Sequence, residues 1–171
     1  MSSTAALDFT LLLLRVSIGI TLAAHGYNKF FGGGRIPGTA GWFESLGMKP
    51  GKLHAVMAAS TEIGAGVLLA AGLLTPLAGA GFVGVMLVAA WTHNKVNGFF
   101  IVKQGWEYNF VLAITAVCIA GIGPARWSLD RALGIDDDLD GWVGLAIAAG
   151  LGVAAGIAQM AIFYRRPATA D

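Results

Sequence analysis

Five side chains of chemically active types stand at related places along an otherwise apolar chain. His25 and Lys29 are four residues apart, which places them on one face of a helix. Glu62 interrupts a second apolar run, and His93 and Glu107 lie at the end of a third run and the start of a fourth. Imidazole and ammonium groups donate hydrogen bonds, and imidazole also titrates near physiological pH. The set predicts proton transfer and hydrogen bonding to a bound small molecule, with His25, Glu62, His93 and Glu107 as the catalytic candidates.

The composition indicates that lipid surrounds these residues. The 171 residues are 56% hydrophobic and only 12% charged, whereas a soluble domain carries about a quarter charged residues. The net charge of +1 gives no reason to expect nucleic acid as a partner. A single cysteine, Cys118, excludes an internal disulfide or dithiol pair. The bilayer is therefore the first predicted partner.

Five apolar runs are long enough to cross a bilayer as helices, which need about 20 residues each. They cover residues 7–31, 52–74, 76–96, 106–123 and 141–164. Backbone polar groups in lipid must be paired within the segment, which favours helices over open strands. The predicted fold class is all-α: a polytopic membrane protein with a four-helix transmembrane bundle and an additional C-terminal fifth transmembrane helix.

Shorter segments complete the predicted organisation. Residues 39–47 read as a short amphipathic piece at the membrane interface, with Trp42 and Phe43 as anchors. His54 is predicted to be an interfacial polar residue, and a short helix is expected from Ser128 to Leu133. The domains are then a bundle over 7–134, followed over 135–171 by an acidic linker, the fifth helix and a basic tail.

The distribution of lysine and arginine predicts the orientation. One side of the membrane would carry eight of these residues and the other only Arg126 and Arg131, beside several aspartates. The positive-inside rule makes the first side cytoplasmic, so we expect a bacterial inner-membrane protein with a cytoplasmic C-terminus. The eight residues are Lys29, Arg35, Lys49, Lys52, Lys95, Lys103, Arg165 and Arg166.

Antiparallel packing brings the polar helix ends into one layer near that cytoplasmic side. Glu62 lies a few turns deeper, and Arg15 lies in the first helix at a depth within reach of it. Two interpretations follow: an ion pair between Arg15 and Glu62 that fixes the two helices, or Glu62 as part of a site. The residues predicted to bind the ligand in this layer are Lys29, Asn97, Tyr108 and Asn109.

Small residues recur every four positions in the fifth helix, which permits close approach of another helix. This stripe could pack on the bundle, form a homo-oligomer or join a larger complex. Its members are Gly144, Ala148, Gly152 and Gly156.

Several stretches resemble the DoxX family of small bacterial membrane proteins. They are LRVSIGITLAAHGYNKFFGGG, GTAGWFESLGMKPGK, STEIGAGVLLAAGLLTPLAG, WTHNKVNGFF and GWEYNFVLAITAVCIAGIGPARWSLDRALG, and the resemblance covers about residues 10–134. It implies a four-helix membrane bundle, association with quinone-linked oxidoreductase or redox-stress systems, and other membrane or redox subunits as partners. The family's thiosulfate:quinone oxidoreductase relatives imply a quinone as electron acceptor. The fifth helix departs from that pattern.

Three functions compete for the polar layer. The first is a pocket for a quinone or another small molecule, with electrons supplied by a partner because no intrinsic cofactor is identifiable. The second is a structural or assembly subunit whose polar groups only fix helix order. The third is a haem or metal site, for example between His25 and His93, although no metal-ligand spacing occurs on one helix. A transporter is a minor alternative. The glycines of FFGGGRIPG follow no strand, so they predict a loop and no dinucleotide site.

Overall fold

The computed structural model describes residues 2–166, and it has the predicted helical architecture. The long helices are α1 (Ser2–Phe31), α3 (Gly51–Ala71), α4 (Thr75–Thr92), α5 (Glu107–Ile122) and α8 (Gly141–Phe163). The shorter ones are α2 (Arg35–Ser45), α6 (Leu129–Leu133) and α7 (Asp136–Leu139). In α8 the middle turns, Ala146–Leu151, form a π-helix. The last five residues of the predicted basic tail, 167–171, lie outside the described residues.

Four of these helices, α1, α3, α4 and α8, are long and apolar enough to cross a membrane, among the residues that the structure describes. The fifth apolar helix, α5, is shorter, at 16 residues. The helices carry many exposed large apolar side chains, such as Phe9, Ile20 and Ile162, which is expected where lipid is the solvent. The predicted fold class, a polytopic helical membrane protein with a fifth helix near the C-terminus, is confirmed.

Glycines set the close crossing of α1 and α3. A side chain on Gly19 would meet the backbone of Gly66, and one on Gly66 would meet the backbone of Gly19. Two turns further along α1, a side chain on Gly26 would meet Ala59 and Ile63 of α3. Small residues allow two helix backbones to touch, which is the main source of helix association in lipid. This contact holds α1 against α3 from Gly19 to Gly26.

The core of the bundle lies between α3, α4 and α5. Leu22 of α1 also contributes, and Phe82 is fully buried at the centre. The turn between α3 and α4 is closed by Asp130, whose carboxylate accepts hydrogen bonds from the backbone N–H groups of Leu74 and Thr75 at 2.6 and 3.0 Å and from the Thr75 hydroxyl at 2.7 Å. The short helix α6 begins as predicted: Ser128 Oγ accepts from the backbone N–H of Arg131. These contacts tie α6 to the end of the bundle.

The stripe on α8 packs against this same chain. A side chain on Gly144 would meet the backbone of Ala120 in α5, and one on Gly152 would meet Ala80 and Val83 in α4. Ala148 is fully buried. Of the three uses predicted for this stripe, packing on the bundle is the one that the structure shows, since α4 and α5 occupy the face; a homo-oligomer stays a prediction.

The end of α8 is joined to the loop between α2 and α3. The backbone N–H of Arg165 donates to the carbonyl of Gly47 at 2.8 Å, and Lys49 N–H donates to the Phe163 carbonyl at 3.4 Å. Met48 beside them is fully buried. The fifth helix thereby covers one end of the four-helix unit, and this end contains the candidate site.

Candidate functional site

An ion pair between α1 and α3 lies at the centre of the candidate site. Lys29 Nζ donates to both carboxylate oxygens of Glu62, at 2.8 and 2.6 Å. The Glu62 side chain is 6% exposed and that of Lys29 is 20% exposed. The close glycine crossing at Gly26 brings the two helices near enough for this contact. A carboxylate this deep in an apolar bundle is held by its cation, since an unpaired charge there would be very costly.

The pair borders a cavity of about 110 Å³, here called the inner cavity, which is partly open to the outside of the bundle. Its wall is mostly apolar. Two aromatic side chains, Trp42 and Phe43, come from α2, and Gln159 comes from α8. Its lining is completed by Met57, Ala58, Thr61, Val85, Val88, Ala89 and Thr92, together with Lys29 and Glu62.

Gln159 is positioned by a buried histidine. Its side-chain amide lies 3.0 Å from Nδ1 of His54, and His54 is fully buried between the rings of Phe43 and Phe163. The expectation that His54 lies at the interface is wrong, because α8 and α2 cover the start of α3. Phe43 is likewise buried, at 7% exposure, and does not serve as a surface anchor. Trp42 is 41% exposed and also lines the cavity.

A second, polar depression adjoins the inner cavity and is here called the outer groove. It lies between α1 and α2 and is lined by His25, Asn28, Lys29, Gly34, Gly38, Thr39 and Trp42. Lys29 and Trp42 line both spaces. His25 is exposed and lies 3.1 Å from the hydroxyl of Tyr108, which links α1 to α5. The structure therefore brings His25, Lys29, Glu62 and Tyr108 to one end of the bundle.

The other predicted site residues lie outside the inner cavity. His93 packs its ring edge against Trp42 at 5.2 Å. Glu107 accepts a hydrogen bond from the backbone N–H of Ile101 at 2.9 Å, and Asn97 donates to the carbonyl of Gln104 at 3.3 Å. Asn109 is buried and donates to the sulfur of Met86 at 3.6 Å. Glu107 and Asn97 therefore bond to the loop between α4 and α5, and Asn109 bonds across the contact of these two helices.

The predicted ion pair between Arg15 and Glu62 is not formed. The Arg15 guanidinium donates instead to the carbonyls of Ala70, at 3.3 Å, and of Trp127. Ala70 is eight residues from Glu62, which separates them by about 12 Å along α3. Arg15 is 1% exposed and fixes the end of α3 and the loop before α6 to α1. The correct partner of Glu62 is Lys29.

Two residues of the site that the sequence did not predict, Trp42 and Gln159, come from helices packed around the four-helix bundle, α2 and α8. Gln159 lies in a helix that showed only a small-residue stripe, and its one signal was a polar amide inside an apolar run. Trp42 looked like an ordinary interfacial anchor. Among the described residues there is no group of three or more His, Cys, Asp or Glu side chains placed to hold a metal ion.

Helices of this length and apolarity, with a buried ion pair beside a cavity, define a polytopic membrane protein with a candidate small-molecule site. A family model described as DoxX matches residues 10–95, half of the chain, and the chain belongs to the DoxX family. It is 26% identical over 134 residues to the uncharacterized membrane protein Rv3486 of Mycobacterium tuberculosis (strain ATCC 25618 / H37Rv), an alignment covering 72% of this chain and 81% of that protein. No solved structure matches the chain.

Proposed function

We propose that this protein is a membrane subunit of a quinone-linked redox system and that the inner cavity binds the quinone headgroup. The observation that carries the proposal is the Lys29–Glu62 pair inside an otherwise apolar cavity with an aromatic wall. A quinone is a flat apolar ring with two carbonyl acceptors. Trp42 and Phe43 offer ring faces or edges for it, and the Lys29 ammonium offers a donor for one carbonyl.

The size of the inner cavity suits the ring of a quinone headgroup. Its volume of about 110 Å³ is of the order of cavities that hold a single aromatic ring. A long isoprenoid chain would have to leave the cavity through its open side and lie in lipid. The predicted orientation puts this end of the bundle on the cytoplasmic side, where Lys49, Lys52 and Arg165 also lie.

Reduction of a quinone consumes two electrons and two protons. In this proposal the electrons come from a partner redox protein, and the chain supplies binding and a route for protons. Glu62 is the buried acid nearest the ligand, and Lys29 connects it to the outer groove. His25 and Tyr108 lie beside that groove as further groups that exchange protons with water.

The test is a titration of the protein in lipid nanodiscs with short-chain ubiquinone and menaquinone analogues, followed by tryptophan fluorescence. Quinone bound in the cavity should quench Trp42 saturably, so Trp42→Phe should remove the saturable component. Trp142 is 86% exposed at the far end of α8 and gives the matched control, Trp142→Phe, which should keep it. Quenching that rises without saturation and is equal in both variants would contradict the proposal.

The same preparation distinguishes quinone binding from two alternatives, a structural subunit and a haem protein. If the protein is a structural subunit, Lys29→Gln should lower the melting temperature, and quinone should shift the melting temperature of neither the variant nor the parent protein. A haem protein would show a Soret band in the visible spectrum of the purified chain. Quinone binding predicts a quinone-dependent rise in melting temperature that Lys29→Gln abolishes.

A further inference from the structure

The loop that joins α4 to α5, residues 93–106, is a folded unit held by its own hydrogen bonds. Asn94 Nδ2 donates to the carbonyl of Gln104 at 2.7 Å. The backbone N–H of Glu107 donates to the carbonyl of Phe99 at 2.8 Å, and the Glu107 carboxylate accepts from Ile101 N–H at 2.9 Å. The loop therefore keeps a fixed shape while many of its backbone polar groups are paired.

This fixed loop directs apolar side chains outward. We call the exposed set the apolar tip: Val96, Phe100, Ile101 and Val102. Val96 is 80% exposed and Val102 is 87% exposed. Phe99 instead turns back and packs its ring on Trp106 at 4.8 Å, so the loop retains a small core of its own. A rigid loop that exposes adjacent apolar side chains needs a surrounding that accepts them.

The helix after the loop, α5, is short for a membrane crossing, and α4 before it is near the lower limit of length. α5 has 16 residues and α4 has 18, which correspond to about 24 and 27 Å. The hydrocarbon core of a bilayer is about 30 Å thick. The loop after α4 therefore begins at a depth where lipid still surrounds the protein, and its internally paired backbone is compatible with that depth.

We infer that the apolar tip inserts into the bilayer, just below the headgroups on the side of the candidate site. Lys95 and Lys103 flank the tip and are exposed, and Lys95 Nζ lies 3.7 Å from the centre of the Trp91 ring. Long lysine side chains can reach lipid phosphates while their stems stay in the apolar layer. The tip also continues the lipid-facing surface of α5, where Phe110 and Val111 are exposed.

This inference is independent of the proposed quinone site. Insertion would anchor the end of the bundle at which α1, α2 and α4 meet, next to His93 and Trp42. The partner is lipid, in preference to a second protein, because lysines on both sides of the apolar residues match the sequence of layers in a bilayer with anionic headgroups.

The experiment places an environment-sensitive fluorophore on Val102→Cys, in a Cys118→Ala background. Asp137→Cys is the matched control, since Asp137 is 88% exposed in the acidic segment at the other end of the bundle. The purified proteins are reconstituted in vesicles of phosphatidylcholine and phosphatidylglycerol, with and without bromolipid. Melting temperatures equal to that of the unlabelled Cys118→Ala protein show that both labelled proteins are folded.

We expect the label at Val102 to emit further to the blue than the label at Asp137 and to be quenched by bromolipid. Iodide present on both sides of the vesicle should quench only the label at Asp137. Iodide quenching of the Val102 label without bromolipid quenching would overturn the inference. That result would show that the tip lies in water, which is the position expected of a loop that docks onto another protein.

Discussion

Lys29 of α1 donates to both carboxylate oxygens of Glu62 in α3, and the two partners are unequally buried. Lys29 retains some access to water through the outer groove, whereas Glu62 has almost none. A charge left without its partner is costly in proportion to its burial. The pair therefore has a structural role as well as the ligand role proposed for it, and mutations of the two residues should differ.

Lys29→Met should destabilise the protein more than Glu62→Gln. Breaking a buried ion pair costs about 3–5 kcal/mol, and Lys29→Met leaves the almost fully buried Glu62 carboxylate without its cation. Glu62→Gln leaves a lysine that can turn to water. The Lys29→Met/Glu62→Met double variant should recover most of the stability while losing quinone binding. Thermal melts in detergent measure all three, and equal losses in the two single variants would argue against this asymmetry.

Gly66→Ala should separate α1 from α3. The added methyl group would meet the backbone of Gly19 and Ala23, which cannot move without shifting a whole helix. Gly64→Ala is the control two residues away, because a side chain there meets nothing within 4 Å. It should change the free energy of unfolding by no more than about 1 kcal/mol, in the stabilising direction expected for alanine in a helix. A melting temperature of Gly66→Ala equal to that of Gly64→Ala would contradict the close crossing.

Asp130→Ala should destabilise the turn between α3 and α4 without acting on ligand binding. The substitution leaves three donors of Leu74 and Thr75 without their acceptor. Each buried donor left unpaired costs about 1–3 kcal/mol, so the melting temperature should fall sharply. Asp137→Ala, in the same acidic segment but exposed, should have almost no effect. Any folded fraction of Asp130→Ala should keep the quinone affinity of the parent protein.

The helices could be predicted from sequence because in lipid the run of apolar residues and the need for backbone pairing both give the same answer. The 106–123 run and the helix Glu107–Ile122 agree closely for this reason. The partner of Glu62 could not be predicted in the same way. Choosing between Arg15 and Lys29 depends on the axial offset of α1 against α3, which Gly19, Gly26 and Gly66 set through backbone contact.

The role of the fifth helix could not be predicted from the sequence either. A small-residue stripe shows that a helix can approach another closely, but it does not say whether the neighbour belongs to the same chain. The backbone hydrogen bond from Arg165 N–H to the Gly47 carbonyl fixes the end of α8 over α3. Only that placement brings Gln159 to His54. A polar residue in an apolar helix was the available signal, and its partner lies 105 residues away in sequence.

Gly152→Leu should displace α8 from α4 and weaken quinone binding at a distance. The leucine would meet Ala80 and Val83, so Gln159, two turns further along the helix, would lose its position at the cavity. Gly150→Leu is the matched control, because that glycine is exposed and a side chain there meets nothing within 4 Å. The titration by tryptophan quenching should report weaker binding for the first variant only. Retained binding by Gly152→Leu would remove α8 from the site.

His54→Phe should lower ligand affinity while preserving the packing around it. The phenylalanine ring can occupy the space between Phe43 and Phe163, but it cannot accept the hydrogen bond from the Gln159 amide. Gln159 then loses the contact that orients its amide group at the inner cavity, where the second N–H of that group can donate to a quinone carbonyl. Loss of one neutral hydrogen bond to the ligand corresponds to about 1 kcal/mol, or roughly a fivefold rise in Kd. Gln159→Leu should give the same rise, and His54→Phe/Gln159→Leu should add nothing further, because the two residues act as one unit. Additive losses in the double variant would show instead that His54 reaches the ligand by another route.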